Sequence, residues 1–343
     1  MKSVQLMAPG TLEVREMPAP PDPGPGEVLV KLRAVGICGS DMHWYHGGIG
    51  RNRMAPGQVL GHEPAGEVVA VGKGVADLSP GRRVAIEPAI TCGHCEPCRS
   101  GRHNNCLTSI FMGSPQMPGL FREFAVVPAH NAVAVPDPLT FDEITLLEPV
   151  AVMLHVLELV NVRIGDTVAV MGAGPVGLLM ASVARVAGAH RVFIADKIPH
   201  RLRIAREMGV GVALHTETEP VADAILDQTR GRGVDIVFDA AGAPESVNTG
   251  IRIARAGGQL VMIGIPDEVG LSLDIHTAMN KELNIQTIKR SNHNVHGALD
   301  LLRSGKISTA LVTHHFPLER TPEAFETLAA YRDGVGKVII ELP

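Results

Sequence analysis

The chain has 343 residues, 45% of them hydrophobic and only 3% aromatic, with 37 glycines. That is long enough for two cores and favours aliphatic strands, alanine-rich helices and tight turns in an α/β architecture. A formal net charge of -5 with no basic face excludes a nucleic-acid binder, and no apolar run suits a membrane span or a leader at "MKSVQLMAPG", so the expected place is the cytoplasm.

The first segment joins a proline-rich turn, "PAPPDPGPGE", to the alternating pattern "VLVKLRAVGI". Further short strands are predicted at "AGEVVAVG", "GRRVAIEP" and "REFAVVPA", each closed by Gly or Pro, so a compact β-rich domain is expected over 1–152. Within it, "GICGSDMHWY" supplies Cys38, Ser40, Asp41, His43, Trp44 and Tyr45, and "VLGHEPAGEVV" supplies His62 and Glu63. One thiolate, one imidazole and one carboxylate make a good Zn²⁺ shell with a fourth position left open. Cys38 and His62 satisfy the first two requirements, and either Glu63 or Glu148, in "LLEPVAV", satisfies the third.

Between these segments lies "CGHCEPCRSGRHNNC", residues 92–106. The thiols Cys92, Cys95, Cys98 and Cys106 can close a tetrahedral shell, and with Cys38 they account for all five cysteines. Disulfides are disfavoured in a reducing compartment, and a redox pair would stand at a helix start beside a βαβ unit. An iron–sulfur cluster is the rival to zinc, although its third gap is commonly shorter. His94 and His103 are read as surface residues.

From "LLEPVAVMLHVLELV" the periodicity turns helical, and "VAVMGAGPVG" then reads as a buried strand, a glycine turn and a helix. Gly172, Gly174 and Gly177 fit G-x-G-x-x-G, with Pro175 and Val176 between them at the helix start. Such a turn brings backbone N–H groups and a helix N-terminus to a pyrophosphate. Asp196 ends the next strand, "VFIAD", where a carboxylate accepts from ribose hydroxyls and repels a 2′-phosphate; this favours NAD over NADP, with nearby Arg201 weakening the choice. Later runs, "VDIVFDAAG" and "GGQLVMIGI", alternate with helices, predicting a doubly wound parallel sheet over 153–289. Amphipathic helices and a final strand, "GKVIIEL", complete the chain.

Taken together, "GICGSDMHWYHGGIG", "GHEPAGEVVAVG", the four-cysteine loop, "LLEPVAV" and "VMGAGPVG" resemble, in order and spacing, the zinc-containing medium-chain dehydrogenases over essentially the full length. The first motif most resembles their polyol branch, the sorbitol and xylitol dehydrogenases. The resemblance implies a GroES-like β-rich catalytic domain, 1–152 completed by 290–343, with a Rossmann NAD-binding domain at 153–289. It further implies two zinc ions per chain. Residues matching Cys38, His62 and Glu63 bind the catalytic one, with Glu148 as ligand or neighbour and Asp41 orienting the histidine; the four-cysteine loop binds the structural one.

On this reading zinc acts as a Lewis acid on a substrate hydroxyl, and hydride leaves to the nicotinamide. Ser40 and His43 are expected to pass the proton outward. Trp44 and Tyr45 wall the pocket or pack the core. Arg290, in "KELNIQTIKRSNHN", matches a substrate-contacting residue of the polyol branch, while Ser291 replaces a tyrosine common there. The expected reaction is reversible oxidation of a secondary hydroxyl of a polyol to a ketose. Rivals are L-threonine or L-idonate dehydrogenation, a non-enzymatic NAD-binding zinc scaffold and, more remotely, a nucleic-acid zinc ribbon. The resemblance also implies a dimer or tetramer.

Overall fold

The computed structural model describes residues 1–49, 52–136 and 138–343; Gly50, which closes the first motif, lies outside them. Two large sheets organise the molecule. The first is mixed, in the order Ala132–Ala134, Arg83–Ile86, Glu63–Val71, Glu27–Gly36, Lys337–Glu341, Val312–Pro317, with Phe124–Pro128 also pairing to Glu27–Gly36. Its central strand, EVLVKLRAVG, alternates as the sequence pattern requires: Val28, Val30, Leu32 and Ala34 are all buried. The strand beside it, Lys337–Glu341, pairs antiparallel with Glu27–Gly36 and parallel with Val312–Pro317.

The second sheet is wholly parallel, in the order Val212–His215, Arg191–Asp196, Thr167–Met171, Val234–Asp239, Ala254–Met262, Asn284–Thr287. Numbered along the chain this is 3-2-1-4-5-6, the doubly wound Rossmann order, with the ligand crevice expected where the order reverses, beyond the end of Thr167–Met171. Its inner strands are largely apolar because helices cover both faces; every residue of Val234–Asp239 is buried, whereas the edge strand Asn284–Thr287 is polar and mostly exposed.

Helix Leu147–Leu159 packs against Pro175–Val186 and Val295–Arg303, and its buried side chains Val150, Met153 and Val156 belong to a core shared with the parallel sheet. No helix of the described residues is long and apolar enough to cross a membrane.

Candidate metal and dinucleotide sites

Strand Glu27–Gly36 ends against Cys38, which opens the short helix Gly39–Tyr45. Asp41 in its first turn is wholly buried and ties three segments together. Its Oδ2 accepts from the Cys38 amide at 2.9 Å, and its Oδ1 accepts from the Gly61 amide at 3.0 Å while facing His62 Nδ1 at 3.4 Å. One carboxylate therefore fixes the backbone at Cys38 and the turn before the histidine, and stands within ion-pair reach of the imidazole.

A donor atom from each of Cys38, His62 and Glu63 lies within 4.8 Å of the others. With Nδ1 of His62 turned to Asp41, Nε2 faces the cluster, 3.3 Å from the Ser40 hydroxyl. Burial alone would lower the His62 pKa, but Asp41 and the Cys38 thiolate outweigh it and hold the ring well above the ordinary value. A buried imidazole drawn toward positive charge among anionic donors is what a divalent cation would relieve, so these residues fit a zinc ion.

Glu148, in the first turn of Leu147–Leu159, stands beside this cluster. Desolvation, reinforced by the Glu63 and Glu87 carboxylates and opposed by His62 and Lys337, pushes its carboxyl up to about 8. Glu63 has a second partner that no local pattern foretold: Lys337, from the last strand of the mixed sheet. Lys337 Nζ also donates to the Ile37 carbonyl at 3.0 Å. Burial works against the ammonium, yet Glu63 and Cys38 hold its pKa above the ordinary value. Gly36 leaves the room this pair needs, since a Cβ there would collide with both side chains.

Arg290 approaches from the far side. Its guanidinium lies 4.1 Å from the centroid of Phe111, whose ring is 5.2 Å from that of His62. Desolvation lowers the Arg290 pKa, and Glu148 and Glu87 oppose the shift. Nη1 of Arg290 is buried with no hydrogen-bond partner among the described residues, a donor left for a ligand oxygen. Glu87, missed in the sequence, accepts from the Ser291 hydroxyl at 3.2 Å, and burial raises its pKa. Trp44, 8% exposed, and Tyr45 lie in the core of the mixed sheet, Tyr45 against Phe325, and core packing accounts for both. His43 Nδ1 meets Asp267 Oδ1 at 3.0 Å, an ion-pair partner from the loop after Ala254–Met262 that the sequence did not suggest.

The four-cysteine loop forms its own centre. A sulfur from each of Cys92, Cys95, Cys98 and Cys106 lies within 4.8 Å of the others, and all four are free thiols. Cys95 and Cys106 have their sulfurs 3.9 Å apart. A tetrahedron with Zn–S near 2.3 Å has edges of about 3.8 Å, so the spacing suits zinc. Backbone N–H groups of His94 and Cys95 pull Cys92 down to about 5, whereas burial and the neighbouring thiols push Cys98 up. His94 is exposed, but His103 is half-buried with its ring 4.0 Å from that of His293, so it is more than a surface residue.

In the parallel sheet the glycine turn follows Thr167–Met171. Gly172 takes φ +101°, Gly174 caps helix Pro175–Val186, and a Cβ on Gly177 would strike the Gly172 carbonyl. Space over Gly174 is open, its nearest neighbour being Arg201 Nη1 at 3.8 Å from where a Cβ would sit, so a pyrophosphate fits there at the helix N-terminus beside Pro175 and Val176. Asp196 does more than the motif implies. Its Oδ2 accepts from the Ala173 amide at 2.6 Å and its Oδ1 from Ile198 at 2.8 Å, so it also holds the turn in shape. Arg201 Nη1 lies 3.9 Å from Asp196 Oδ2, and its guanidinium stacks on Tyr331 at 4.7 Å.

The chain is similar to known proteins over nearly its whole length. Residues 24–137 match the family described as the alcohol dehydrogenase GroES-like domain, and residues 175–304 match the zinc-binding dehydrogenase family. A sorbitol dehydrogenase of Bacillus subtilis (strain 168) is 34% identical over 342 residues, covering 99% of this chain and 97% of that one. A probable D-xylulose reductase A of Arthroderma otae is 38% identical over 339 residues, covering 96% and 95%. Among solved structures, a zinc-binding dehydrogenase from Sinorhizobium meliloti 1021 bound to NADP superposes with a TM-score of 0.90 at 33% identity, covering 99% of this chain and 98% of that one.

Proposed function

The chain belongs to the zinc-binding dehydrogenases with a GroES-like domain, and from that premise we propose that it oxidises a secondary hydroxyl of a sugar alcohol to the ketose, reversibly, with NAD. The observation that carries this reading is Arg290 Nη1, buried and unpartnered, on a guanidinium that stacks on Phe111, the ring that also meets His62 of the donor cluster. A polyol offers one hydroxyl to the cluster and neighbouring hydroxyls to Arg290 and Glu148.

When bound at this cluster, zinc supplies Lewis acidity toward the substrate oxygen, and NAD accepts the hydride. Cys38, His62 and Glu63 would hold the metal, and the four loop cysteines would hold a second ion, two per chain. Glu148, beside the donor cluster, can hydrogen-bond to a substrate hydroxyl. Ser40, beside His62, takes the hydroxyl proton and passes it to His43, whose imidazole is oriented by Asp267. Asp196 selects NAD because a 2′-phosphate would meet its carboxylate.

A second reading has support: an unpaired Arg290 nitrogen also suits the carboxylate of an aldonate such as L-idonate. Zinc-loaded protein assayed for NADH formation on sorbitol, xylitol, L-idonate and L-threonine separates the two. Turnover of polyols with NAD well above NADP is expected, and turnover confined to L-idonate or L-threonine overturns the polyol assignment.

We also propose self-association, a dimer or tetramer. Asn284–Thr287 closes the parallel sheet with an outer edge unpaired among the described residues, beside exposed Ile275, Met279 and Ile285. Five thiols outside disulfides suit a cytoplasmic setting.

A further inference from the structure

The segment 289–294 carries Arg290 into the site, and its backbone is held out of its preferred shape. Arg290 has φ +56° and His293 φ +62°, the left-handed region that side chains disfavour. Freed of its contacts, such a segment would relax and take the guanidinium with it.

Most of its tethers come from one place. Asn104 Nδ2 donates to the Lys289 carbonyl at 2.9 Å. The Asn292 side chain is gripped twice: its Oδ1 accepts from the His103 amide at 2.9 Å, and its Nδ2 donates to the Gly101 carbonyl at 2.8 Å. The His103 and His293 rings meet edge to face. Gly101, His103 and Asn104 all lie between Cys98 and Cys106, inside the loop that the four thiols close. Asn104 also meets buried His155 at 3.1 Å, which anchors the loop to helix Leu147–Leu159.

We propose that the four-cysteine loop is a positioning device for the substrate-side arginine: Asn104 and Asn292 join the order of the closed loop to the placement of Arg290. This rests on the reading of Arg290 as a substrate contact. An ion in the loop fixes the Gly101 to Asn104 turn, the turn fixes the backbone on both sides of Arg290, and Ser291 on Glu87 fixes the remaining strand. The loop thus acts on substrate binding without touching substrate.

The test uses zinc-loaded, full-length wild type, Asn292→Ala and Asn292→Asp, the last keeping the acceptor for His103 but losing the donor to Gly101. Three quantities are read: zinc per chain, KM for sorbitol at saturating NAD, and the rate at which phenylglyoxal labels Arg290, followed as lost tryptic cleavage after that residue. With zinc retained, Asn292→Ala is expected to label Arg290 roughly tenfold faster through local opening. Its KM should rise by about tenfold, as for the loss of two hydrogen bonds together, and by more than kcat falls. Asn292→Asp should fall between, and it serves if Asn292→Ala does not fold. Combined with Arg290→Ala, Asn292→Ala should add little further loss, because both act through one guanidinium. Labelling and KM equal to wild type, or fully additive losses in the double variant, overturn the proposal. If wild type leaves every polyol untouched, the assigned reaction fails while the labelling rate still decides whether the loop holds Arg290.

Discussion

Lys337 and Glu63, 274 residues apart in sequence, form an ion pair that is 2% and 1% exposed, directly behind the donor cluster. Two desolvated charges of opposite sign tolerate each other only together. In zinc-free protein, removing the ammonium in Lys337→Met leaves the Glu63 carboxylate buried without a counter-charge, which costs about 3–5 kcal/mol. The expected result is a marked drop in thermal stability that Glu63→Gln in the same chain largely recovers. A drop of equal size in the single and double variants would mean that lost packing, not lost charge, is responsible.

Glu148 gives stability a pH dependence in metal-free protein. Its carboxyl titrates near 8 in the fold against an ordinary 4.5. Below 4.5 both folded and unfolded chains hold the proton. Between the two values only the folded chain holds it, so stability falls as pH rises, and above 8 the loss is complete. Denaturation of zinc-free wild type and Glu148→Gln from pH 4 to 9 (roughly the window set by those two values) should show the variant gaining on wild type as pH rises. Parallel curves would place the Glu148 carboxyl in water-like surroundings.

Cys38→Ser separates the two thiol centres. The four-cysteine loop draws nothing from Cys38, so zinc should fall from about two ions per chain to about one while the fold persists. Turnover should be lost altogether. Elemental analysis on protein of unchanged circular dichroism checks this, and loss of both ions would show that the centres are coupled.

Asp196→Ser should move cofactor preference. Removing a unit charge near 4 Å from an incoming phosphate relieves about 1–4 kcal/mol of repulsion, so kcat/KM with NADP relative to NAD should rise by about tenfold or more. The Ala173 amide loses its acceptor at the same time, so stability should drop by about 1 kcal/mol. An unchanged ratio would confine Asp196 to holding the turn.

What could be read from the sequence was what chemistry encodes locally. Four thiols within fifteen residues, a glycine turn between strand and helix, and a thiol and an imidazole at strand ends each announce their partners by short spacing. Lys337 behind Glu63, Ser291 on Glu87 and Asn292 on the cysteine loop did not, because their partners lie 274, 204 and 189 residues away. A lysine in an apolar strand looks like a sheet edge until the carboxylate opposite is known. Trp44 and Tyr45 followed a motif compatible with either a pocket wall or the core, and their sequence neighbours did not reveal that they would join Phe325 in the mixed-sheet core. Asp196 stood out as an expected ribose contact; its grip on Ala173 emerged only when the turn closed.

Strand Lys337–Glu341 sits next to Glu27–Gly36 in the mixed sheet, some 300 residues later in synthesis. A nascent chain therefore exposes a raw hydrogen-bonding edge on its first sheet until the whole parallel-sheet layer has been made. That layer, contiguous from Thr167 to Thr287, can condense on its own schedule. Cys38 and His62, though made early, wait for Lys337–Glu341 to bring the ammonium that neutralises Glu63, so this buried pair closes only when the two distant parts of the mixed sheet meet.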